Sequence, residues 1–202
     1  LHRHDPIRHM EESLEAMSEL VAEGKVRYLG SSNLAAWQVV DADWIARTRG
    51  LHRFVSAQNE YSLYNRSAED ELLPACRRVG VGVLPYFPLA YGLLTGKYKR
   101  DAPAPAGSRL ARADQAGRLR EADWDRVEAL EAFAAERGLD LLTVAIGGLA
   151  AQPGVGSVIS GATRPEQVRA NAEAIEWRPS DADLDALRAL RVRPAMTYTT
   201  FA

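Results

Sequence analysis

Three short polar side chains follow predicted strands, at the points where those strands end. Ser32 and Asn33 come after an apolar run at residues 26–30, and Gln58 comes after another at residues 54–57. Together these side chains offer hydrogen-bond donors and acceptors, as recognition of a primary carboxamide requires. The residue types leave a second interpretation open, in which Asn33 caps the next helix and Gln58 closes a turn.

A second candidate site begins at Gly161. Thr163 and Glu166 have the spacing of a capping box, directly after a predicted strand at residues 156–159. A helix N-terminus attracts phosphate through its free amides and the helix dipole. Gly161 permits a close approach, and Arg164 supplies a cation that can pair with a phosphate. The sequence therefore predicts an anion site at the start of this helix.

Predicted strands and helices alternate along the chain. The first helix is predicted to start with Asp5 as its N-cap and Pro6 in its first turn, and to end at Gly24. Further helices are predicted at residues 35–48, 69–78, 121–136, 142–151, 165–174 and 181–190, and strands at residues 26–30, 54–57, 81–85 and 156–159. This alternation favours a parallel α/β architecture, either a doubly wound sheet or a barrel.

The chain is predicted to form a single domain over residues 1–202, with an irregular tail at residues 191–202. Residues 98–120 contain Pro103, Pro105 and Gly107 and have little apolar periodicity. Loops of this length within a compact domain are often functional, so we expect this segment to be a mobile lid.

Composition argues against several classes of function. The 25 basic and 27 acidic residues are mixed along the 202-residue chain, which predicts no nucleic-acid partner. The four histidines lack zinc-ligand spacing, so no metal is predicted. No apolar run of 18 residues and no signal-peptide pattern is present, which predicts a cytoplasmic protein away from the membrane. Cys76, the single cysteine, shares helical spacing with Leu72 and is predicted to be buried and unreactive.

Five ordered motifs make the sequence similar to the aldo/keto reductase family. They are LHRHDP at residues 1–6, GKVRYLGSSN at 24–33, QNEYS at 58–62, YFPLAYGLLTGKY at 86–98 and SVISGATRPEQ at 157–167, followed by Asn171. The resemblance implies a partial (β/α)8 TIM barrel, running from the end of the fourth strand through the eighth helix plus a C-terminal helix.

The resemblance also implies a site for NADP(H). Ser32, Asn33 and Gln58 would hold the nicotinamide carboxamide, and Tyr86 would stack on the nicotinamide ring. The remaining cofactor-binding residues implied are Leu89, Ala90, Lys97, Arg109, Gly161, Thr163, Arg164, Gln167 and Asn171. Of these, Leu89 and Ala90 would offer backbone amides to the pyrophosphate, and Gln167 and Asn171 would contact the adenine.

The implied reaction is the reversible reduction of a small aldehyde or ketone to an alcohol. His2 matches the family's histidine, which lies near the substrate carbonyl and assists the acid that donates the proton. The family's proton-donating tyrosine and its partner lysine and aspartate match no residue here, so we expect a fragment that is inactive as given. The alternative is a regulatory subunit similar to the potassium-channel β subunits, which bind the cofactor without turnover. Substrate identity and oligomeric state stay open.

Overall fold

The computed structural model describes residues 1–190, so the predicted tail at residues 191–202 lies outside the described residues. At its centre is a parallel sheet of strands β1 (Leu29–Ser32), β2 (Phe54–Gln58) and β3 (Gly82–Val83), in the order β1-β2-β3. The prediction of an α/β fold with parallel strands is therefore confirmed.

Helices follow each strand, and in the described part of the chain the elements after β3 include no further strand. Within residues 1–190 they are α1 (Met10–Ala22), α2 (Ala36–Arg49), α3 (Leu72–Val79), α4 (Ala116–Arg120), α5 (Trp124–Glu136), α6 (Leu141–Ala150), α7 (Pro165–Ala174) and α8 (Asp181–Ala189). Short 3-10 helices occupy Ser67–Glu69, Ala90–Thr95 and Arg109–Ala111. Each crossover helix carries the chain back to the end of the sheet where the previous strand began. Successive strands therefore run in the same direction, and their carboxyl ends share one edge.

The predicted start of the first helix is wrong. Helix α1 begins at Met10, and its N-cap position is His9 rather than Asp5. The Asp5 carboxylate instead accepts a hydrogen bond of 2.9 Å from the amide of Ile7. Aspartate commonly binds the backbone two residues ahead in this way, and the resulting turn competes with helix initiation.

The predicted strand at residues 156–159 is not formed as a strand. Two isolated parallel bridges, Val83 with Val155 and Tyr86 with Ile159, join this segment to the chain around β3. Pro85 lies between the two bridges and has no amide to donate, which interrupts the ladder. The segment nevertheless runs beside β3, and its far end lies next to Tyr86.

Leu1 lies beside β1, across the sheet from the segment at residues 155–159, which lies beside β3. Its amino group donates to the oxygen of Gly30 at 2.8 Å, and the amide of Ser32 donates to the oxygen of Leu1 at 2.8 Å. This is the hydrogen-bond pattern of a parallel pair. Leu1 therefore brings the following residue, His2, to the edge where the three strands end.

Residues 98–120 are more structured than predicted, since they contain a 3-10 helix and α4. Tyr98 and Leu110 are both buried, and the Leu110 amide donates to the Tyr98 hydroxyl at 3.2 Å. Lys99 and Arg100 form ion pairs with acidic residues of α5. Movement of this segment as a lid stays a prediction.

Cys76 should resist thiol reagents in the folded protein. Its side chain is fully buried in α3, and burial raises its pKa to about 11. Because the thiolate is the nucleophile, both its access and its ionisation are suppressed at neutral pH. We expect dithionitrobenzoate to label Cys76 only in denaturant, measured by absorbance with and without guanidinium. Rapid stoichiometric labelling of the native protein would contradict this burial.

Candidate functional site

Asn33 is the centre of a hydrogen-bonded group at the carboxyl ends of the strands. Its side-chain oxygen accepts from the Tyr86 hydroxyl at 2.7 Å, and its nitrogen donates to Ser32 Oγ at 2.9 Å. The same nitrogen donates to the main-chain oxygen of His2 at 3.2 Å. The Ser32 hydroxyl donates to the main-chain oxygen of Gln58 at 2.9 Å. These five residues, which we call the amide cluster, therefore meet at one edge of the sheet.

The backbone at Asn33 favours this role over helix capping. Asn33 has φ 56°, in the left-handed region that asparagine tolerates better than most residues. The N-cap of α2 is Ala35, whose amide donates to the side-chain oxygen of Gln38 at 2.8 Å. The interpretation of Asn33 as a helix cap is therefore wrong, and its amide group is engaged within the cluster instead.

Gln58 joins the cluster through its main chain. Its oxygen accepts from the Asn33 amide at 3.1 Å as well as from Ser32. The Gln58 side chain is half-buried, and within residues 1–190 it forms no hydrogen bond. Its amide group therefore keeps both a donor and an acceptor for a ligand.

Tyr86 provides a fixed donor and an aromatic surface. Burial, and then the negative charge of Glu60, raise the pKa of its hydroxyl, which therefore stays protonated at neutral pH. That hydroxyl is directed to Asn33, and the ring meets Phe87 edge-on at 5.0 Å between centroids. Tyr86 is therefore part of the amide cluster, and stacking of its ring on a cofactor stays a prediction.

The loop after Tyr86 has an unusual backbone. Phe87, Ala90 and Tyr91 have φ values of 55°, 45° and 61°, all in the left-handed region that costs energy for residues other than glycine. The Ala90 amide, predicted to face phosphate, donates instead to the oxygen of Phe87 at 2.9 Å. Within residues 1–190 no hydrogen bond engages the Leu89 amide, which makes it the better candidate of the two.

Lys97 and Arg109, two of the implied cofactor-binding residues, lie over aromatic rings. The Lys97 ammonium is 5.2 Å from the centroid of Tyr98, and the Arg109 guanidinium is 5.7 Å from Phe87 and 5.3 Å from Tyr91. Neither forms an ion pair with a carboxylate among the residues that the structure describes. Both positive charges are therefore available to an anion.

The predicted capping box at Thr163 and Glu166 is wrong. Helix α7 does begin at Pro165 as predicted, but its N-cap is Arg164, and no side chain caps it. The Thr163 amide and hydroxyl both donate to the side-chain oxygen of Gln167, at 2.8 and 3.2 Å. Gln167, one residue further along the chain, reaches back over the turn in place of Glu166. Arg164 itself is exposed.

One feature at the start of this segment fits a ligand. Gly161 is exposed, and a side chain there would meet no atom of residues 1–190 within 4 Å, as at several other exposed glycines. The hydroxyl of Ser160, which sequence reasoning missed, is buried and has no hydrogen-bond partner among residues 1–190. An unpaired buried hydroxyl is costly and calls for a partner. Asn171 is half-buried, four residues after Gln167 on the same face of α7.

The bridge between Tyr86 and Ile159 connects the two halves of the site. It places the chain that leads to Ser160 and Gly161 beside the amide cluster. The His2 side chain is exposed at the other side of the cluster, while its main chain is held by Asn33. The structure thus brings five of the predicted residues, His2, Ser32, Asn33, Gln58 and Tyr86, together at the carboxyl ends of the strands.

Over residues 1–190, no three histidine, cysteine or acidic side chains are grouped so that they could hold a metal ion. In the same part of the chain, every helix is too short or too polar to cross a membrane.

Several known proteins are similar to this chain over most of its length. The model of the Aldo/keto reductase family matches residues 1–192. The chain is 37% identical over 180 residues to "NADH-specific methylglyoxal reductase" of Escherichia coli (strain K12), covering 88% of this chain and 52% of that protein. It is 34% identical over 183 residues to "Probable voltage-gated potassium channel subunit beta" of Oryza sativa subsp. japonica, covering 88% and 56%. It is 35% identical over 188 residues to "Protein tas" of Escherichia coli (strain K12), covering 91% and 54%. The chain therefore spans about half the length of these curated relatives.

Proposed function

This chain belongs to the aldo/keto reductase family, and from that membership we propose that the protein is an NADP(H)-dependent oxidoreductase of small aldehydes, ketones or alcohols. Its elements would be the second half of a (β/α)8 barrel, from the end of the fourth strand through the eighth helix. The observation that carries the proposal is the amide cluster, because its donors and acceptors converge at the strand ends where barrel enzymes bind ligands.

The residues present fit a nicotinamide nucleotide. A carboxamide needs one acceptor and one donor. The side-chain amide of Gln58, which forms no hydrogen bond within residues 1–190, supplies both, and the Asn33 side-chain oxygen can accept a second hydrogen bond beside that from Tyr86. Gly161 is exposed and permits a close approach, and the Ser160 hydroxyl, which is unpaired within residues 1–190, offers a hydrogen bond to the other end of the ligand. When bound, the nicotinamide would supply a hydride equivalent for the carbonyl carbon.

The phosphates would be held between the loop after β3 and the start of α7. Lys97, Arg109 and Arg164 are positively charged and lack carboxylate partners within the described residues. The amides of Leu89 and of the α7 N-terminus would add neutral donors, with Ala90 needing to release Phe87 first. Gln167 and Asn171 would contact the adenine from one face of α7. Gln167 keeps its amide nitrogen for that contact, since Thr163 uses only its oxygen.

His2 would orient the substrate carbonyl. Its main chain is fixed by Asn33, so its imidazole is held near the cluster while staying accessible. An imidazole at this position can donate a hydrogen bond to a carbonyl oxygen and so stabilise the negative charge that develops there. The substrate we propose is small and carries an aldehyde, ketone or hydroxyl group, and the compartment we propose is the cytoplasm.

A second candidate is a regulatory subunit that binds the nucleotide without turnover. The relative named as a potassium channel subunit beta favours it, at 34% identity. Both candidates use the same nucleotide site, and the histidine at position 2 favours turnover. Oxidation of NADPH with a small aldehyde therefore separates them, when it is measured on a protein that also supplies the family's tyrosine, lysine and aspartate.

Arg164→Ala should weaken NADPH binding about tenfold and leave NADH binding nearly unchanged. An exposed charge-assisted hydrogen bond to the 2′-phosphate, which NADH lacks, accounts for a change of this size. Titration by nucleotide fluorescence, with Arg169→Ala on another face of α7 as the matched control, measures it. Because a relative is named as specific for NADH, tighter binding of NADH than NADPH by the unchanged protein would overturn the proposed cofactor preference. Absence of binding to either nucleotide would overturn the proposed function.

A further inference from the structure

The six basic side chains of residues 97–118 divide into two groups. One group pairs with carboxylates, and its members are Lys99, Arg100 and Arg112. The other group lies over aromatic rings, and its members are Lys97, Arg109 and Arg118. Lys97 and Arg109 were among the cofactor-binding residues that the family resemblance implied. Arg118 was not among the predicted residues, and its contact is the closest of the three.

Tyr91 is the ring that Arg118 contacts. The guanidinium carbon of Arg118 is 3.8 Å from the ring centroid, whereas that of Arg109 is 5.3 Å away. The Phe87 ring lies 4.4 Å from Tyr91 on the same loop. A distance of 3.8 Å is that of a stacked guanidinium, a stronger arrangement than the more distant approach of Arg109. Arg118 belongs to α4, so the contact joins α4 to the loop after β3.

The loop that Arg118 holds is strained. Ala90 and Tyr91 are both in the left-handed region, and Gly92 follows with φ 105°. Such a backbone persists only when surrounding contacts over-determine it. The turn bonds from the amides of Gly92 and Leu94 to the oxygen of Leu89, at 2.8 and 3.2 Å, depend on this conformation. Fixing the Tyr91 ring therefore fixes the peptide groups around Leu89.

We propose that Arg118 is a positioning residue for the cofactor phosphates and acts through Tyr91. By holding the ring, it keeps the loop around Leu89 shaped for phosphate. The Arg118 contact also keeps residues 98–120 attached to this loop. Arg109, which lies farther from the rings, can therefore turn from them to a phosphate without releasing the segment. A charge-assisted bond to phosphate is stronger than an exposed cation–π contact, so this exchange is favourable. The inference rests on the proposed function and concerns a residue for which we propose no direct ligand contact.

Stopped-flow NADPH dissociation tests the assignment. We expect Arg118→Met to raise both the dissociation rate and the Kd roughly two- to five-fold, the range that an exposed cation–π contact provides. Arg118→Lys, which keeps a cation over the ring, should recover most of the affinity. Arg120→Met, which removes a neighbouring exposed cation of α4, is the matched control and should match the unchanged protein. Equal rates for Arg118→Met and Arg120→Met would overturn the proposal.

A double-mutant cycle with Tyr91→Leu tests whether Arg118 acts through Tyr91. If Arg118 acts through Tyr91, adding Arg118→Met to Tyr91→Leu should change the Kd little further. Additive effects would mean that Arg118 acts on the phosphate directly, and would overturn the positioning role.

Hydrogen exchange of the ligand-free protein supplies a readout that does not need the nucleotide. Arg118→Met should speed exchange at the amides of Gly92 and Leu94, and Arg120→Met should not. Unchanged exchange in Arg118→Met would overturn the proposed hold on the loop. If the unchanged protein binds no NADPH, the proposed function fails, and this role fails with it. If that protein binds NADPH but Arg118→Met neither weakens binding nor speeds exchange, only this inference fails.

Discussion

Arg66→Met should lower the free energy of unfolding by about 3–5 kcal/mol, the usual cost of breaking a buried ion pair by removing one of its two members. The Arg66 side chain is only 5% exposed, and it donates two hydrogen bonds to Glu69, at 2.6 and 3.1 Å. It also donates to the main-chain oxygen of Leu187 and so ties the loop after β2 to α8. The substitution leaves the Glu69 carboxylate, itself 14% exposed, without its arginine.

Urea denaturation followed by circular dichroism measures this loss, and two further variants control for it. Arg49→Met removes an ion pair with Glu15 whose side chains are about half exposed, so it should change stability by about 0–1 kcal/mol. Adding Glu69→Gln to Arg66→Met should recover part of the stability, because the amide oxygen can still accept from Tyr61 without a buried charge. Similar losses in Arg66→Met and Arg49→Met would show that the buried pair is unimportant.

Helix positions could be predicted closely wherever apolar periodicity coincided with a strong start or stop signal. Helices α2 and α7 lie within one residue of their predicted bounds, the former ending at Gly50 with φ 67° and the latter starting at Pro165. The start of α1 was missed because Asp5 closes a local turn with Ile7, a choice that residue type alone does not decide. The strand predicted at residues 156–159 does not form because Pro85 interrupts its pairing partner, which is a long-range effect.

The residues of the candidate site likewise divide into those that could be predicted from the sequence and those that could not. Ser32, Asn33, Gln58 and Tyr86 could be predicted to meet because carboxyl ends of parallel strands share an edge. Arg118 and Ser160 could not be predicted from their neighbours. The role of Arg118 depends on a ring 27 positions earlier in the chain, and that of Ser160 on a hydroxyl being buried without a partner. Such features arise from packing and carry no local pattern.

Asn33→Gly should weaken NADPH binding by roughly 10- to 100-fold, because one or two hydrogen bonds to the carboxamide would be lost and each is worth about 1–2 kcal/mol. Glycine adopts the left-handed backbone at φ 56° without strain, so the fold around this position should be kept. The loss would therefore report on the side-chain amide and not on the backbone. Fluorescence titration with NADPH measures the affinity, and thermal unfolding checks the fold.

Two companion variants separate the donor of Asn33 from its acceptor. Asn33→Asp keeps an oxygen for the Tyr86 hydroxyl and tolerates the left-handed backbone, but it loses the nitrogen that donates to Ser32 and His2. If the donor exchanges one of these partners for the carboxamide oxygen, Asn33→Asp should bind as weakly as Asn33→Gly, since its carboxylate would also repel that oxygen. Tyr86→Phe removes only the partner of the Asn33 acceptor and should cost about three- to ten-fold, the worth of one neutral hydrogen bond. Asn33→Gly binding NADPH as tightly as the unchanged protein would mean that the amide cluster is a structural turn, and the nicotinamide would have to lie elsewhere.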